Sequence, residues 1–475
     1  MSGCECKPRR AQPINRMTPR RFCLLTSLFA CFVASGYAQG PPLGDSIPSG
    51  TATTGILSLG LKDAVDRAVK NNLAAVLGTE AERIAAAKRL SDLAELWPKL
   101  EGRLSTEQRQ VNLAAFGFGG FPGVRQVIGP FALVDARASF SSPLIDLERR
   151  HNLRESSDNQ RAAALANLNT RELVALTAVD LYFQIVSSES RVAAVEAQLV
   201  RAKVLFGRAT DLKNAGFAPG IDVLRAEVEQ RSLEQRLIQA KNIVQKQKLA
   251  LARAIGLPLG QEIILTDKLP EEVRTDLSMS QLLERAYMNR SDAKTLDVQV
   301  HAAEEAVKAV KARSLPTMNA LGDYGAIGRS PFSSHGTYSL RLEVRFPIFD
   351  KSIDSDVQER EANLRQRQAE RDSLHGRIEF DVRSALLDIQ SSAEQLQVAR
   401  RSLALAQQQL DQAQDRFGAG VTDNLEVVQA QEDVALADER VIESLYGFNI
   451  SRALLARAIG AVERSIQEVF DGSSK

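Results

Sequence analysis

The sequence predicts a mainly α fold with a small β part, assembled from one α-β-β-α-α unit used twice. Two observations carry this. The stretch from Ala215 to Gly256 begins AGFAPGIDVLRAEVE and ends LARAIG, and a later stretch begins AGVTDNLEVVQAQED and ends in the same LARAIG. Gly216 pairs with Gly420, Ala226 with Ala430 and Gly256 with Gly460 at a constant separation of 204 residues, so the block carries no insertion. Self-similarity at fixed spacing is the signature of a duplicated chain. The hydrophobic period also switches from helical to two, and back, at the same place in each copy.

Other landmarks extend the duplication. Ala68, Asn71 and Pro98 fall opposite Ala286, Asn289 and Pro316 at a separation of 218, while Pro143 meets Pro347 at 204. The first copy therefore carries about 14 extra residues between Pro98 and Pro143, where strands and loops tolerate insertion.

The chain opens on a leader. Arg9, Arg10, Arg16, Arg20 and Arg21 precede an apolar run from Phe22 to Val33, and Gly36-Tyr37-Ala38 follows. A basic region, a short apolar core and a small-x-small site read as a secretory signal peptide cut after Ala38. Leu28-Phe29-Ala30-Cys31 is an alternative, lipoprotein-like processing site at Cys31. All four cysteines, at 4, 6, 23 and 31, lie in this leader. A chain cut after Ala38 has no disulfide scaffold, thiol nucleophile or cysteine metal cluster. It would hold 54 basic against 58 acidic residues, which is no footprint for nucleic acid.

The expected organisation is a signal peptide at 1–38, a Gly/Pro/Ser/Thr-rich lead-in at 39–58, a first repeat at 59–270 with strands at about 99–143, a second repeat at 271–462 with strands at about 316–348, and a tail at 463–475. A first helical stretch runs from Leu59 to about Leu96 and is stopped by Trp97-Pro98; its partner runs from Met279 to Leu315 and is stopped by Pro316. Longer elements, about Leu147 to Asn214 and Ile353 to Phe417, follow the strands. Each would be about 100 Å long at 1.5 Å per residue, so each needs coiled-coil-like support.

The spacing supplies it. Ile378, Val382, Ala385, Ile389, Ser392, Leu396, Ala399, Leu403, Ala406, Leu410, Ala413 and Phe417 alternate steps of four and three, and the same seam recurs 204 residues earlier. The first copy adds a parallel stripe including Leu176, Val179, Phe183, Val186, Val200 and Val204. Two adjacent seams suit a stave with a neighbour on each side, and equally a two-helix or four-helix bundle.

Between the helices, Tyr338, Leu340, Leu342, Val344 and Phe346 alternate with Ser339, Arg341, Glu343 and Arg345. Ala132 to Phe140 alternates likewise, with partners near Lys99 to Val111 and Thr317 to Gly325. The pattern fits a tilted membrane strand or a soluble sheet with one wet face. Four strands cannot close a barrel, and open edges cannot sit in lipid, so strands that span require an oligomer.

The signal peptide, the duplicated unit, the glycine turns followed by DVLRAEVE and EVVQAQED, and the paired LARAIG endings resemble the TolC-type outer-membrane efflux family over nearly all of residues 59 to 462. The resemblance implies a homotrimer in which each chain gives four strands to a 12-stranded outer-membrane β-barrel and its long helices to a periplasmic tunnel, the trimeric α-barrel. It implies docking of a periplasmic adaptor at the turns, Ala215-Gly216-Phe217 and Ala419-Gly420-Val421, backed by an inner-membrane pump or ABC exporter. It also implies a pore constriction near Glu426, Asp423 and Asp222. Gln429 stands where family members carry a second acid, which leaves a single acidic ring. Asp423 and Glu426 read equally as a helix capping box.

Other chemistry finds no support. The GFGGFPG run from Gly117 to Gly123 is a hairpin loop and no phosphate cradle; the four histidines are scattered, and no catalytic cluster is apparent. No cofactor, metal or enzymatic activity is expected. The expected function is a passive exit duct, and the alternative is a periplasmic coiled-coil scaffold or adhesin.

Overall fold

The computed structural model describes residues 43–49, 51–52, 55–117, 123, 125–217, 219–270, 278–419, 421–422 and 424–461. The signal peptide with Cys31, the tail 463–475, Gly420, Asp423 and most of the GFGGFPG loop lie outside the described residues.

Each repeat folds into the same series. The first has strand β1 (Leu57–Leu59), helices α1 (Leu61–Asn71) and α2 (Leu73–Ala94), strands β2 (Lys99–Asn112) and β3 (Val127–Ile145), then helices α3 (Leu147–Asn214) and α4 (Gly220–Ala254). The second begins after strand β4 (Ile263–Leu265) with helices α5 (Met279–Asn289) and α6 (Ser291–Ala312) and strands β5 (Thr317–Gly328) and β6 (Ser334–Arg345), and it ends with helices α7 (Ser352–Gly418) and α8 (Asn424–Ala458). β2, β3, β5 and β6 form one antiparallel sheet in that order.

The two long helices occupy the expected spans, with 68 residues in α3 and 67 in α7. The heptad seam is what they bury. Ile378, Val382, Ala385, Ile389, Leu396, Ala399, Leu410, Ala413 and Phe417 are all inside. At about 1.5–3 kcal/mol per buried large apolar side chain, this stripe holds the part of α7 from Ile378 to Phe417 against α8 and, near Ile378 to Leu396, against α5 and α6. The second stripe of α3 divides: Val179 and Phe183 are buried, whereas Val200 and Val204 are exposed on a single chain.

The structure departs from the sequence reading first in the shorter helical stretches. Each shorter helical stretch is broken, at Asn72 in the first repeat and at Arg290 in the second, positions 218 residues apart. Both residues are buried and leave the helical conformation, Asn72 at φ −64° and ψ 135° and Arg290 at φ −58° and ψ 122°, so each ends one helix and starts the next. No proline or glycine marks the break; side-chain chemistry holds it.

The repeated LARAIG endings explain why a break is there. Gly256 and Gly460 follow α4 and α8 with φ of 75° and 68°, the left-handed region open to glycine. A Cβ on Gly256 would stand 2.6 Å from Asn71 Cβ, and one on Gly460 would stand 2.8 Å from the Arg290 backbone nitrogen. The motif is thus a helix C-cap pressed against the helix break of its own repeat.

A short element was not foreseen. β1 and β4 pair in parallel beside the long helices. The Tyr182 hydroxyl donates to the Leu59 carbonyl and accepts from the Asp267 N–H, both at 3.1 Å, and so fastens β1 and the segment just after β4 to α3. Burial pushes that phenol up to about 12.

Candidate functional site

Two regions of the fold bear on function: the helical turns at one end and the sheet at the other.

Both turns are built alike. After α3, the N–H of Ala215 bonds the Asp211 carbonyl and that of Phe217 bonds Leu212; after α7, Ala419 bonds Asp415 and Val421 bonds Arg416. Gly216 takes φ of 81°, as a glycine turn requires. Ala215, Gly216, Phe217, Ala419 and Val421 are all exposed, Phe217 at 83% and Val421 at 70%. The two turns lie side by side. Phe217, Ile221 and Arg225 of the first and Phe417, Ala419 and Thr422 of the second line one open groove of about 650 Å³. Beneath it, Leu205 of α3 joins Leu410, Phe417, Val427 and Val434 in a common core.

The expected constriction residues do not share one environment. Asp222 is buried in the first turn of α4, with Arg225 of the same helix 3.5 Å away. Glu426 is partly exposed in the first turn of α8, takes a 2.8 Å bond from Arg416 of α7, and accepts 2.6 Å from the Thr422 hydroxyl. Gln429 lies exposed one turn on. Sequence reasoning did not find Arg416. Its first-copy counterpart is Leu212, and this apolar-to-cationic difference opposite Glu426 was the available signal.

The sheet has two unlike faces. Register places Leu104, Ala136 and Ala326 on one face, with Leu100, Phe140, Gly322 and Leu340 in another row of it. Along all four strands, no residue of that face is charged. Leu100, Leu104, Tyr338 and Leu340 stand 76–82% exposed on it. The other face carries Glu101, Arg103, Arg137, Asp135, Asp323, Arg341 and Glu343. There Arg137 bridges Asp135 and Asp323 and donates to Thr337, while Ser339 donates to Asp323. β2 and β6 are open edges.

Trp97, Phe346, Ile348 and Phe349 are exposed beside the sheet end next to the helices. No described helix is long and apolar enough to cross a membrane. Among the described residues no group of three or more His, Cys, Asp or Glu side chains is placed to hold a metal ion.

A two-faced sheet carried on long paired helices, repeated within one chain, defines a class. The pattern of the family described as outer membrane efflux protein matches residues 132–257 and 282–461, and the chain belongs to that family. Its place is the outer membrane, with most of the chain in the periplasm. Among solved structures, the chain is similar to the outer membrane protein VceC of Vibrio cholerae, with a TM-score of 0.72 and 15% identity over 84% of this chain and 96% of that one. It is also similar to the Campylobacter jejuni CmeC outer membrane channel, at 0.73 and 18% over 90% and 94%. The open state of the Neisseria gonorrhoeae MtrE outer membrane channel matches at 0.71 and 14% over 87% and 94%. At these identities the likeness is one of fold. No curated protein matches the sequence.

Proposed function

We propose that the chain is the exit duct of a tripartite efflux or type I secretion system. Three copies close a 12-stranded barrel, and their long helices continue it as a periplasmic tunnel. Small toxic compounds or a secreted polypeptide pass without chemistry from a periplasmic adaptor and inner-membrane pump to the exterior. The observation that carries this reading is the sheet, with one face free of charge, the other ion-paired, and both edges open. Lipid tolerates the first face, water the second, and neither edge can remain unpaired in lipid.

The exposed residues Ala215, Gly216, Phe217, Ala419 and Val421 supply the surface an adaptor hairpin would meet, with Gly420 completing the second turn in sequence. Glu426 is the residue we assign to the constriction, with Arg416 as its partner, so three copies would present three ion pairs and no bare carboxylate ring. Asp423 precedes it in sequence. Asp222, buried beside Arg225, supports the turn rather than lining the path, and Gln429 adds a neutral amide.

Fractionation tests the duct. The protein should sediment with outer membranes and run as a detergent-stable trimer; release as a soluble monomer by osmotic shock would instead support the periplasmic scaffold.

A further inference from the structure

Near the sheet, three helices leave a groove in their packing. α6 lies against both α3 and α7, and residues of 155–159, 299–306 and 360–367 on the three helices line a space of about 380 Å³. Its floor is α6, where Ala302 and Ala306 are buried and end at a methyl group. At the equivalent positions, 218 residues earlier, α2 carries Ile84 and Lys88, whose longer side chains would fill such a space. The groove therefore belongs to the second repeat and not to the duplicated fold as such.

The two walls carry opposite charges that are not joined. Glu155 of α3 and Arg360 of α7 both line the groove, and neither forms an ion pair or a hydrogen bond among the described residues. Burial raises the Glu155 carboxyl and the Arg360 charge opposes that rise, while the paired Lys88 and Asp92 of α2 act on it in opposite directions. Glu155 and Arg360 thus sense one another without closing. Arg367, also on the α7 wall, is already held by Glu370 at 2.8 Å. Two amides complete the walls: Asn159 on α3 and, 204 residues later, Asn363 on α7.

We propose that this groove binds small zwitterions of di- or tripeptide size, the ammonium group on Glu155 and the carboxylate on Arg360. The charge balance selects that class. A simple anion would meet Glu155 and a simple cation would meet Arg360, and like charges in partly desolvated space repel. A zwitterion satisfies both walls at once, and its ammonium group compensates a carboxylate that burial has stripped of water. The amides of Asn159 and Asn363 can bond the peptide groups between the charges, and the Ala302–Ala306 floor takes short apolar side chains. The volume falls in the range of small-molecule sites, about 300–1,000 Å³. Every part comes from one chain, so the site goes beyond the duct reading and does not depend on how copies assemble.

Titration calorimetry on the detergent-solubilised full-length protein, with trialanine as the probe, tests this. Trialanine should bind saturably, about tenfold or more tighter than its N-acetylated or amidated forms, each of which keeps a single charge. Glu155→Gln should weaken trialanine by a similar factor and remove its preference over the N-acetylated anion. Arg360→Gln should weaken it likewise and remove its preference over the amidated cation. Neither substitution breaks an existing side-chain contact among the described residues, so the thermal midpoint should stay where it is. Ala302→Ile, which installs the residue of the first repeat, should abolish binding. Equal binding of all three forms, or no response to either charge substitution, overturns the zwitterion assignment; the absence of saturable heat with trialanine overturns the site. Sedimentation of the same protein with outer membranes reports on the duct separately.

Discussion

The same helix break is made twice in this chain by different chemistry. In the first repeat Asn72 accepts a 2.9 Å bond from the Ala74 N–H and donates 2.7 Å to the Leu43 carbonyl, a neutral side-chain cap. At the equivalent position of the second repeat, Arg290 bonds Asp292 at 2.7 Å and Asp381 of α7 at 2.9 Å. Arg457 of α8 stands 4.0 Å from Asp292 and is itself paired with Glu172 of α3 at 3.0 Å. The first break is held by neutral hydrogen bonds to its own helix and to the lead-in at Leu43 and Asp45, whereas the second belongs to an ion-pair network linking α6, α7, α8 and α3. A duplicated backbone requirement, one non-helical residue under a left-handed glycine, can thus be met by a cap or by charge. Only the charged solution couples the repeats.

The largest test of this difference is Arg290→Ala. Removing one member of a buried ion pair strands Asp292 and should cost about 3–5 kcal/mol, seen as a lower thermal midpoint of the solubilised protein. Gly460→Ala should follow at about 2–4 kcal/mol, combining left-handed strain with a clash against the Arg290 backbone. Gly256→Ala should cost about as much, because the Asn71 Cβ at 2.6 Å is fixed to its backbone and the Ile47 carbonyl oxygen stands at 3.0 Å.

Glu305 gives the pH test. It lies buried on α6, where the first repeat has Ala87. Burial by itself would raise its carboxyl, but hydrogen bonds from Lys308 and His151 at 2.7 and 2.8 Å, with their charges, hold it down to about 2. A depressed carboxyl stabilises fully above its unfolded value, 4.5, and its share fades as pH falls from there towards 2. That share is at most about 3 kcal/mol. Glu305→Gln should therefore lower the midpoint at pH 7 and make it less sensitive to acid between pH 4.5 and 2; parallel acid profiles for both proteins would remove Glu305 from this role.

Asn72→Ala, the neutral counterpart of the first test, should cost only about 1–2 kcal/mol, the loss of one cap. Smallest in stability but visible in function is Glu426→Ala. Loss of an exposed pair such as Arg416–Glu426 costs under about 1 kcal/mol, while single-channel conductance in bilayers should rise, and unchanged conductance would take the pair out of the constriction.

Much of this was legible in the sequence because it repeats with a period. The heptads of α3 and α7 and the two-residue alternation of β6 report burial directly. The glycines of the turns and of LARAIG report backbone positions that other residues resist. The helix breaks were not legible, since Asn72 and Arg290 sit within Ala- and Leu-rich stretches and depend on partners such as Leu43 and Asp381 that are distant in the chain. Nor was β1–β4, whose three-residue strands lie more than two hundred residues apart. At the turns, the sequence brought out the acids but not their partners.

By itself the sequence determined the duplication, the long helices, the four strands and the two turns, because each leaves a local period or a residue that tolerates only one conformation. Tertiary structure alone decided that Asp222 is buried beside its own helix's Arg225 while Glu426 is bound across the hairpin by Arg416. It also decided that the alternating strands join into a sheet with one face wholly free of charge. Charge pairing and face composition are properties of residues brought together from separate segments, and no local pattern records them.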